Sequence, residues 1–365
     1  MIGDRSVLVL YDERMLTHQP EVKDPYLPGR LERRVREILE GLDVKWSYPE
    51  HPGRITAIRD LLQAEPIPGV RIDAGECATR AQLGRVHTTA YLDDMYALRG
   101  QSAWLDEDTT AVSTGSIEAA EVAAGTAVKA VEAVMKGEAD STFAVVRPPG
   151  HHAEPVRARG FCLFNNVAVA AAHAQAKLGC RRVLIVDWDV HHANGTQDIF
   201  WADNDVMLFD THRAGPFYPG TGGLEEAGGG LGTGTTVNVP LPAGSGDLAL
   251  VTAFREILVP AARWFRPDLI LVSAGFDSHR LDLALNVSYD GFAAVTGIVQ
   301  SLADELCGGR LALVLEGGYH LESLARGAHT VLRVLAGEPP PEPVEPGAAA
   351  VRAAAEYHRN AFTDE

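Results

Sequence analysis

The sequence predicts an α/β protein, a single domain with a central, mostly parallel sheet sandwiched by helices. The first observation is a set of short runs of consecutive apolar residues, which are typical of strands buried on both faces of a parallel sheet. These runs are Val7–Leu10, Phe143–Val146, Val183–Val186, Val206–Phe209, Leu269–Val272 and Leu311–Leu315. The second observation is that longer, helix-like stretches separate them. These stretches are Ile117–Met135, Asn166–Leu178, Asp247–Trp264, Gly291–Leu306 and Leu321–Leu335.

The length and the position of the prolines indicate how the chain is divided. A chain of 365 residues allows two domains, but α/β enzymes of this size often form one. We therefore predict one main domain over residues 1–338. The proline-rich run 339–347 is predicted to be a stiff linker, and residues 348–365 a C-terminal helical segment that docks on the main domain.

Composition and charge narrow the class of function. A formal net charge of −17 argues against nonspecific nucleic-acid binding and favours cationic substrates. No stretch approaches the roughly 18 apolar residues that cross a bilayer, so no membrane partner is expected. The first residues lack the basic and apolar regions of a signal peptide, and the four cysteines form no Cys-X-X-Cys pair. A reduced, cytoplasmic location is therefore expected.

Asp189 and His191 form the most informative pair in the chain. They follow the apolar run Val183–Val186 and lie two residues apart. In an extended segment such residues point to the same side, so a carboxylate and an imidazole converge on one point. A divalent metal is the ordinary reason for this pairing, and Zn²⁺ accepts both kinds of ligand.

A third ligand is predicted at Asp277. It lies just past the apolar run Leu269–Val272, in a turn opened by Gly275. An Asp-X-His pair with one distant Asp leaves an open coordination position, which is the pattern of a catalytic metal site. Taken alone, Asp277 is equally compatible with a helix N-cap.

Two further strand ends carry groups that fit catalysis. The run Phe143–Val146 leads to His151 and His152, and Leu311–Leu315 leads through two glycines to Tyr319. Histidines transfer protons near neutral pH, and a tyrosine hydroxyl can donate to a developing oxyanion. All these residues follow strands, where open α/β sheets bind their ligands.

These motifs resemble those of the zinc-dependent histone deacetylases, class II type, with the bacterial histone deacetylase-like amidohydrolases and the acetylpolyamine amidohydrolases. The matching segments are RPPGHHAE (147–154), GFCLFNNVAVAA (160–171), VDWDVHHANGTQDIF (186–200), YPGTG (218–222), VSAGFD (272–277) and LEGGY (315–319). The resemblance spans nearly the whole chain. It implies an arginase/deacetylase-like fold and hydrolysis of an acetyl or other acyl amide.

The resemblance implies the ions of the site. Asp189, His191 and Asp277 are implied to bind Zn²⁺, while Fe²⁺ and Co²⁺ stay open because ligand type does not decide between them. A structural K⁺ is implied near the carbonyl groups around Asp187, Asp189 and His191.

The resemblance also implies the catalytic roles. His152 is the implied general base, and His151 its electrostatic or general-acid partner. Asp187 is implied to orient His151, and Asn194 to orient His152. Tyr319 is implied to polarise the amide carbonyl together with the metal.

A further group of residues is implied to contact the substrate. Phe161 and a facing Tyr218 or Phe217 would sandwich an aliphatic stem, with ordinary core aromatics as the alternative. Asp108 matches a rim carboxylate and Arg54 an arginine near an internal acetate exit, with solvated surface positions as the alternatives. The glycines that would let the backbone approach the site are Gly160, Gly317 and Gly318.

The sequence departs from the family pattern in three places. Tyr48 stands where the family usually has His, residues 279–286 replace a Gly-Asp-Pro-Leu core, and an insertion separates Pro20 from Tyr48. The inserted stretch Leu31–Leu39 has helical spacing and is compatible with a rim element or with a subunit contact in a homo-oligomer. A solvated helix is the favoured alternative. The substrate is likewise left open between an acetyl-lysine peptide and a small acetylated amine such as an acetylpolyamine.

Two other functions are weighed against this one. An arginase-type binuclear manganese ureohydrolase needs two metals bridged by several aspartates, whereas one Asp-X-His and one Asp are evident here. A non-catalytic zinc-binding member of the fold should have lost Tyr319, His152 or a metal ligand, and none is lost.

Overall fold

The computed structural model describes residues 5–20, 48–106, 109–341, 348–359 and 362. The helical stretch predicted over Leu31–Leu39 lies outside these ranges, as do Asp108 and most of the predicted linker.

Among these residues, eight parallel strands form one sheet, and six of them fall on the predicted apolar runs. Their order is β2-β1-β5-β10-β9-β6-β7-β8, and a separate antiparallel pair is formed by β3 and β4. The strands are β1 (Val7–Tyr11), β2 (Val70–Ala74), β3 (Ala103–Trp104), β4 (Ala111–Val112), β5 (Ser141–Ala144), β6 (Val183–Asp187), β7 (Val206–Arg213), β8 (Thr236–Leu241), β9 (Leu269–Ala274) and β10 (Leu311–Leu315). Every residue of the central strands β5, β6, β9 and β10 is buried.

Helices flank the sheet, so the predicted α/β architecture is confirmed. Ser116–Met135 packs with Asn166–Lys177, while Leu321–Leu335 packs with Gly53–Ala64 and Tyr289–Cys307. The α-helices are Gly53–Ala64, Arg80–Leu83, Thr89–Ala97, Ser116–Met135, Asn166–Lys177, Asn194–Phe200, Asp247–Ala253, Val259–Phe265, Tyr289–Cys307, Leu321–Leu335 and Arg352–Arg359. A π-helical turn at Phe254–Leu258 interrupts the helix predicted over Asp247–Trp264.

The sequence prediction misses both edge strands, β2 and β8. In β2 four of five residues are exposed, and β8 contains Asn238 and Pro240. The edge strand β2 is covered less completely than a central strand, so its sequence is not a continuous apolar run. In β8 five of six residues are buried, but polar residues and Pro240 interrupt the apolar run.

The C-terminal helix Arg352–Arg359 packs on the main body. Ala354 and Ala355 are buried, and the His358 ring nitrogen Nε2 lies 2.9 Å from the carbonyl oxygen of Asn238. The boundaries at residues 338 and 348 stay predictions. Within the described ranges, we find no helix of the length and apolarity that a membrane crossing requires.

The sheet order brings the loops of the predicted site together. The strands β5, β10, β9 and β6 are direct neighbours, and all four run in the same direction. Their carboxyl ends therefore lie side by side at one edge, and the loops that follow them meet there.

Candidate active site

The three predicted metal ligands converge at this edge. Asp189 and His191 follow β6, and Asp277 lies three residues past β9. One ligand atom from each of the three residues lies within 4.8 Å of the others. His191 Nδ1 is 2.9 Å from Asp189 Oδ1 and 3.2 Å from Asp277 Oδ2. Among the residues that the structure describes, this is the one cluster of three such groups with metal-ligand spacing.

Backbone groups hold the two carboxylates in place. The Gly317 N–H donates to Asp189 Oδ2 at 2.7 Å, and the Val190 N–H donates to Asp277 Oδ1 at 2.9 Å. A Cβ atom at Gly317 would overlap the carboxylate oxygens of both Asp189 and Asp277, and one at Gly275 would overlap Asp189. Glycine is therefore required at both positions because the carboxylates occupy the space.

The electrostatics of this cluster suit a divalent cation. Asp277 Oδ2 is buried, and its 3.2 Å ion-pair contact with His191 Nδ1 lacks the alignment of a hydrogen bond, as do its other contacts among the described residues. Burial, followed by the negative charge of Asp189, raises the pKa of Asp277 to about 6. Burial lowers the pKa of His191, but its contacts with Asp189 and Asp277 outweigh this and raise it to about 9. A cation between the three groups would relieve the repulsion of the carboxylates, so the residues fit a bound metal.

The two tandem histidines lie beside this cluster and differ in their partners. His151 Nδ1 is 3.0 Å from Asp187 Oδ2, while His152 Nδ1 is 2.7 Å from Asn194 Oδ1. Burial opposes charge on both rings. For His151 the carboxylates of Asp187 and Asp189 outweigh burial and raise its pKa well above the usual range. For His152, burial is reinforced by the charges of His151 and His191, which hold its pKa well below the usual range. One imidazole therefore favours the charged form and its neighbour the neutral form.

Glu316, which the sequence analysis does not single out, fixes the turn that carries the histidines. Its Oε2 accepts the Gly150 N–H at 2.6 Å and the His151 N–H at 3.1 Å. Burial raises the pKa of Glu316 to about 7. The residue lies in the LEGGY segment, directly after β10, so its place at a strand end is the signal that could have identified it.

Tyr319 follows Glu316 on the same loop. Burial, followed by the charge of Asp277, raises the pKa of its hydroxyl well above the usual range, so the group is a hydrogen-bond donor at neutral pH. The Arg54 guanidinium carbon lies 5.1 Å from the centre of the Tyr319 ring. Arg54 is fully buried, so a surface position is wrong for it. Its Nε donates to the Gly318 carbonyl at 2.6 Å, and Nη2 donates to the Glu316 carbonyl.

Half-buried aromatic rings adjoin the site on two sides. Phe217 stacks on His191 with ring centres 5.0 Å apart, and the Tyr218 ring meets His152 edge-on at 5.0 Å. Phe161 lies against Tyr319 at 5.7 Å and adopts a positive φ of 67°. A positive φ is uncommon for a bulky side chain, and such strain is concentrated at functional sites.

The remaining predicted residues are distributed as follows. Gly160 lies against His152, since a Cβ atom there would overlap the imidazole ring. Tyr48 packs edge-on against Phe161 at 5.1 Å, and its hydroxyl donates to the Thr109 carbonyl at 2.6 Å. Asp108 lies outside the described residues. Besides Glu316, the acidic residues Glu50, Glu154 and Asp282 contact the site or its supporting loops and are absent from the sequence predictions.

Comparison with known proteins agrees with this geometry. The histone deacetylase domain model matches residues 48–335. The chain is 40% identical over 315 residues to histone deacetylase 14, chloroplastic, of Arabidopsis thaliana, covering 80% of this chain and 74% of the relative. It is 40% identical over 320 residues to the polyamine deacetylase HDAC10 of Homo sapiens, covering 81% of this chain and 46% of the relative.

A solved structure is similar over almost the full chain. The crystal structure of the HDA15 HD domain superposes with a TM-score of 0.85 at 36% sequence identity, covering 98% of this chain and 94% of that one. The family model, the identities and the structural match agree with one another. The chain therefore belongs to the histone deacetylase family.

Proposed function

We propose that this protein is a zinc-dependent deacetylase that removes an acetyl group from an amine on an extended aliphatic stem. The observation that carries the proposal is the cluster of Asp189, His191 and Asp277 beside a histidine pair with opposite protonation preferences. Amide hydrolysis requires a group that accepts a proton and a group that donates one, and this pair supplies both.

Asp189, His191 and Asp277 would hold the metal. When bound, Zn²⁺ supplies Lewis acidity toward the amide carbonyl and toward the attacking water. Fe²⁺ and Co²⁺ are compatible with the same oxygen and nitrogen ligands. We also propose a structural K⁺ near Asp187, Asp189 and His191 on the family resemblance.

The histidines divide the proton transfers between them. With its Nδ1 proton donated to Asn194, neutral His152 has Nε2 free to take a proton from the attacking water. His151, held as an imidazolium by Asp187, offers a proton and a positive charge as the amine departs. Tyr319 donates its hydroxyl hydrogen bond to the carbonyl oxygen as negative charge develops on that oxygen.

The aromatic rings support a substrate with a narrow apolar stem. Phe161 on one side, with Phe217 and Tyr218 on the other, would enclose a methylene chain and exclude water. Gly160, Gly317 and Gly318 keep the walls close to the site, while Arg54 supports the Tyr319 turn. Both an acetyl-lysine peptide and an acetylpolyamine have such a stem, and we propose both classes. A polyamine deacetylase among the relatives supports the second.

The proposal also covers the cellular location and the partners of the protein. The four cysteines are free, which supports the reduced interior of the cytoplasm as its location. A net charge of −17 supports cationic substrates and not nucleic acid as partners.

The experiment compares kcat/KM of the zinc-loaded protein on an acetyl-lysine peptide and on a mono-acetylated polyamine. Tyr319→Phe should lower kcat about 100- to 1000-fold on the better substrate, the typical effect of losing an oxyanion donor. Tyr357→Phe, at an exposed position of the C-terminal helix, is the matched control. Wild-type kcat/KM in Tyr319→Phe would contradict the mechanism, and turnover of neither substrate would contradict the substrate class.

A further inference from the structure

Glu154 is joined to His152 through one intervening side chain. Asn194 Oδ1 lies 2.7 Å from His152 Nδ1, and Asn194 Nδ2 donates to Glu154 Oε1 at 3.0 Å. His152 and Asn194 are buried, with 4% and 8% of their surfaces exposed. The carboxylate of Glu154 thus contacts the far side of the amide that holds the proposed base.

This arrangement leaves the Asn194 amide one favourable orientation. A carboxylate only accepts hydrogen bonds, so the amide turns its NH₂ group toward Glu154 and its oxygen toward His152. The NH₂ group also donates to the His152 carbonyl, but at 3.5 Å this contact is the longer one, so Glu154 is the stronger acceptor. The reversed amide would place its oxygen against Glu154 and its NH₂ against His152 Nδ1. That would cost a buried hydrogen bond and set two acceptors against each other.

The amide orientation in turn decides which nitrogen of His152 carries the proton. With Asn194 Oδ1 facing it, Nδ1 must donate, so the proton lies on Nδ1 and Nε2 is bare. With the NH₂ group facing it, Nδ1 would have to accept, and the proton would lie on Nε2. Only the first tautomer can take a proton at Nε2.

Glu154 is itself held in place. Its N–H donates to the Arg157 carbonyl at 2.9 Å, and Arg159 Nη1 donates to Oε1 at 2.8 Å. Arg159 Nε also donates to the Tyr218 hydroxyl at 3.1 Å, and the Tyr218 ring lies edge-on to His152. The carboxylate is therefore fixed between the peptide chain and the aromatic wall of the site.

We propose that Glu154 is a positioning residue that, through the Asn194 amide, fixes His152 as the tautomer with its proton on Nδ1. This inference rests on the proposed function for its effect on turnover, but the tautomer is measurable without any substrate.

The first test replaces the acceptor by an apolar side chain of similar size. In zinc-loaded, ¹⁵N-histidine-labelled protein, Glu154→Leu should convert the His152 ring from one tautomer to a mixture, read from the ¹⁵N shifts of its two nitrogens. The same variant should lower kcat about 10- to 100-fold with a smaller change in KM, as is usual for the loss of an orienting partner. Glu121→Leu removes another partly buried carboxylate that pairs with an arginine, at 2.8 Å from Arg99, and serves as the matched control.

Two further variants separate orientation from general damage. Glu154→Gln keeps an oxygen that can accept from both Asn194 and Arg159, so it should preserve the tautomer. Asn194→Asp presents only acceptor atoms to His152 whichever way it turns. Adding Asn194→Asp to Glu154→Leu should therefore restore the Nδ1-protonated tautomer and recover part of the lost kcat.

The proposal is overturned if Glu154→Leu keeps a single Nδ1-protonated His152, whatever happens to turnover. It is also overturned if adding Asn194→Asp to Glu154→Leu improves neither the tautomer population nor kcat. If wild-type protein hydrolyses no acetyl amide but the tautomer shifts as expected, the proposed function fails and the positioning role stands.

Discussion

The carboxylate of Asp282 accepts the backbone N–H of Tyr319 through Oδ2 at 2.6 Å. The same oxygen accepts the N–H of His320 at 2.8 Å. Asp282 belongs to the segment 279–286, where the sequence departs from the family pattern, and its neighbour Leu281 is 53% exposed. A loop that reaches the surface therefore also fixes the backbone of the proposed oxyanion donor.

Replacing Asp282 by alanine should consequently weaken catalysis more than substrate binding. Without the two backbone hydrogen bonds to Asp282, the Tyr319 turn is no longer held in position. A misplacement of a catalytic group by about 1 Å can lower the rate by up to about 100-fold. We expect kcat to fall about 10- to 100-fold while KM changes little, measured by steady-state kinetics. Asp93→Ala, at a side chain that is 65% exposed, provides the control. A rise in KM at unchanged kcat would show that Asp282 acts on the substrate and not through Tyr319.

Gly160→Ala should lower kcat by displacing His152. Gly160 has a φ of 58°, and an added Cβ atom would overlap the His152 imidazole. The control is Gly100→Ala, where φ is 77° but the Cβ atom would meet no atom within 4 Å. Both variants should lose about 1 to 2 kcal/mol of stability through the strained backbone, and only Gly160→Ala should also lose kcat, by about 10-fold or more. Equal activity of the two folded variants would disprove the requirement for space beside His152.

The central strands could be predicted because burial on both faces of the sheet requires apolar residues at consecutive positions. Strands such as Val183–Asp187 and Leu269–Ala274 are buried on every residue, and each reads as an apolar run that ends at a polar residue. The edge strand Val70–Ala74 carries exposed side chains and has no such pattern. Its place in the sheet depends on pairing with β1, which a local pattern does not encode.

The residues of the site likewise divide into those that a local pattern predicts and those that it does not. Asp189 and His191 were predictable because they lie two residues apart directly after a buried strand, although the structure places them in a bend and not in an extended segment. Asp282 acts on the backbone of Tyr319, which is 37 residues away in sequence. Glu154 lies within a motif that the sequence analysis quotes, but its function depends on the orientation of Asn194, 40 residues away. Contacts of this kind follow from the tertiary structure and have no signature in residue spacing.

Glu50 is expected to stabilise the fold behind the site. It is fully buried and pairs with Arg147 at 2.9 Å and with Arg54 at 3.0 Å, both of them also fully buried. Glu50→Gln would leave two buried guanidinium groups without a countercharge. Breaking a buried ion pair in this way typically costs about 3 to 5 kcal/mol, which urea unfolding at neutral pH would measure. Glu65→Gln, at an exposed position, should change the free energy of unfolding by less than about 0.5 kcal/mol. A similar small change in Glu50→Gln would contradict the stabilising role.

The contribution of Glu50 should also depend on pH in a defined direction. Burial opposes its ionised form, but the charges around it, that of Arg147 first, hold the pKa of Glu50 well below the usual range. A group whose pKa is lower in the folded state than in the unfolded state stabilises the fold above its unfolded value, near pH 4.3 for glutamate. The difference in unfolding free energy between wild type and Glu50→Gln should therefore be constant above about pH 5 and shrink as the pH falls below about 4. If the difference in unfolding free energy instead grew as the pH fell, the pKa of Glu50 would be raised by folding and not lowered.

Metal content distinguishes the proposed deacetylase from a binuclear ureohydrolase. Because the described residues contain one three-ligand cluster, protein dialysed against excess zinc should retain about one zinc per chain, measured by elemental analysis. Asp277→Asn should retain much less, since it removes the charge of a carboxylate whose Oδ2 has no hydrogen-bond partner within the described ranges. Asp268→Asn, which removes a carboxylate that pairs with the backbone of Arg181 and Arg182 outside the cluster, is the control. Zinc binding should also raise the thermal midpoint of wild type and not of Asp277→Asn, because a ligand that binds only the folded state stabilises it. A content near two manganese ions per chain, with turnover of a guanidine substrate, would instead favour the ureohydrolase.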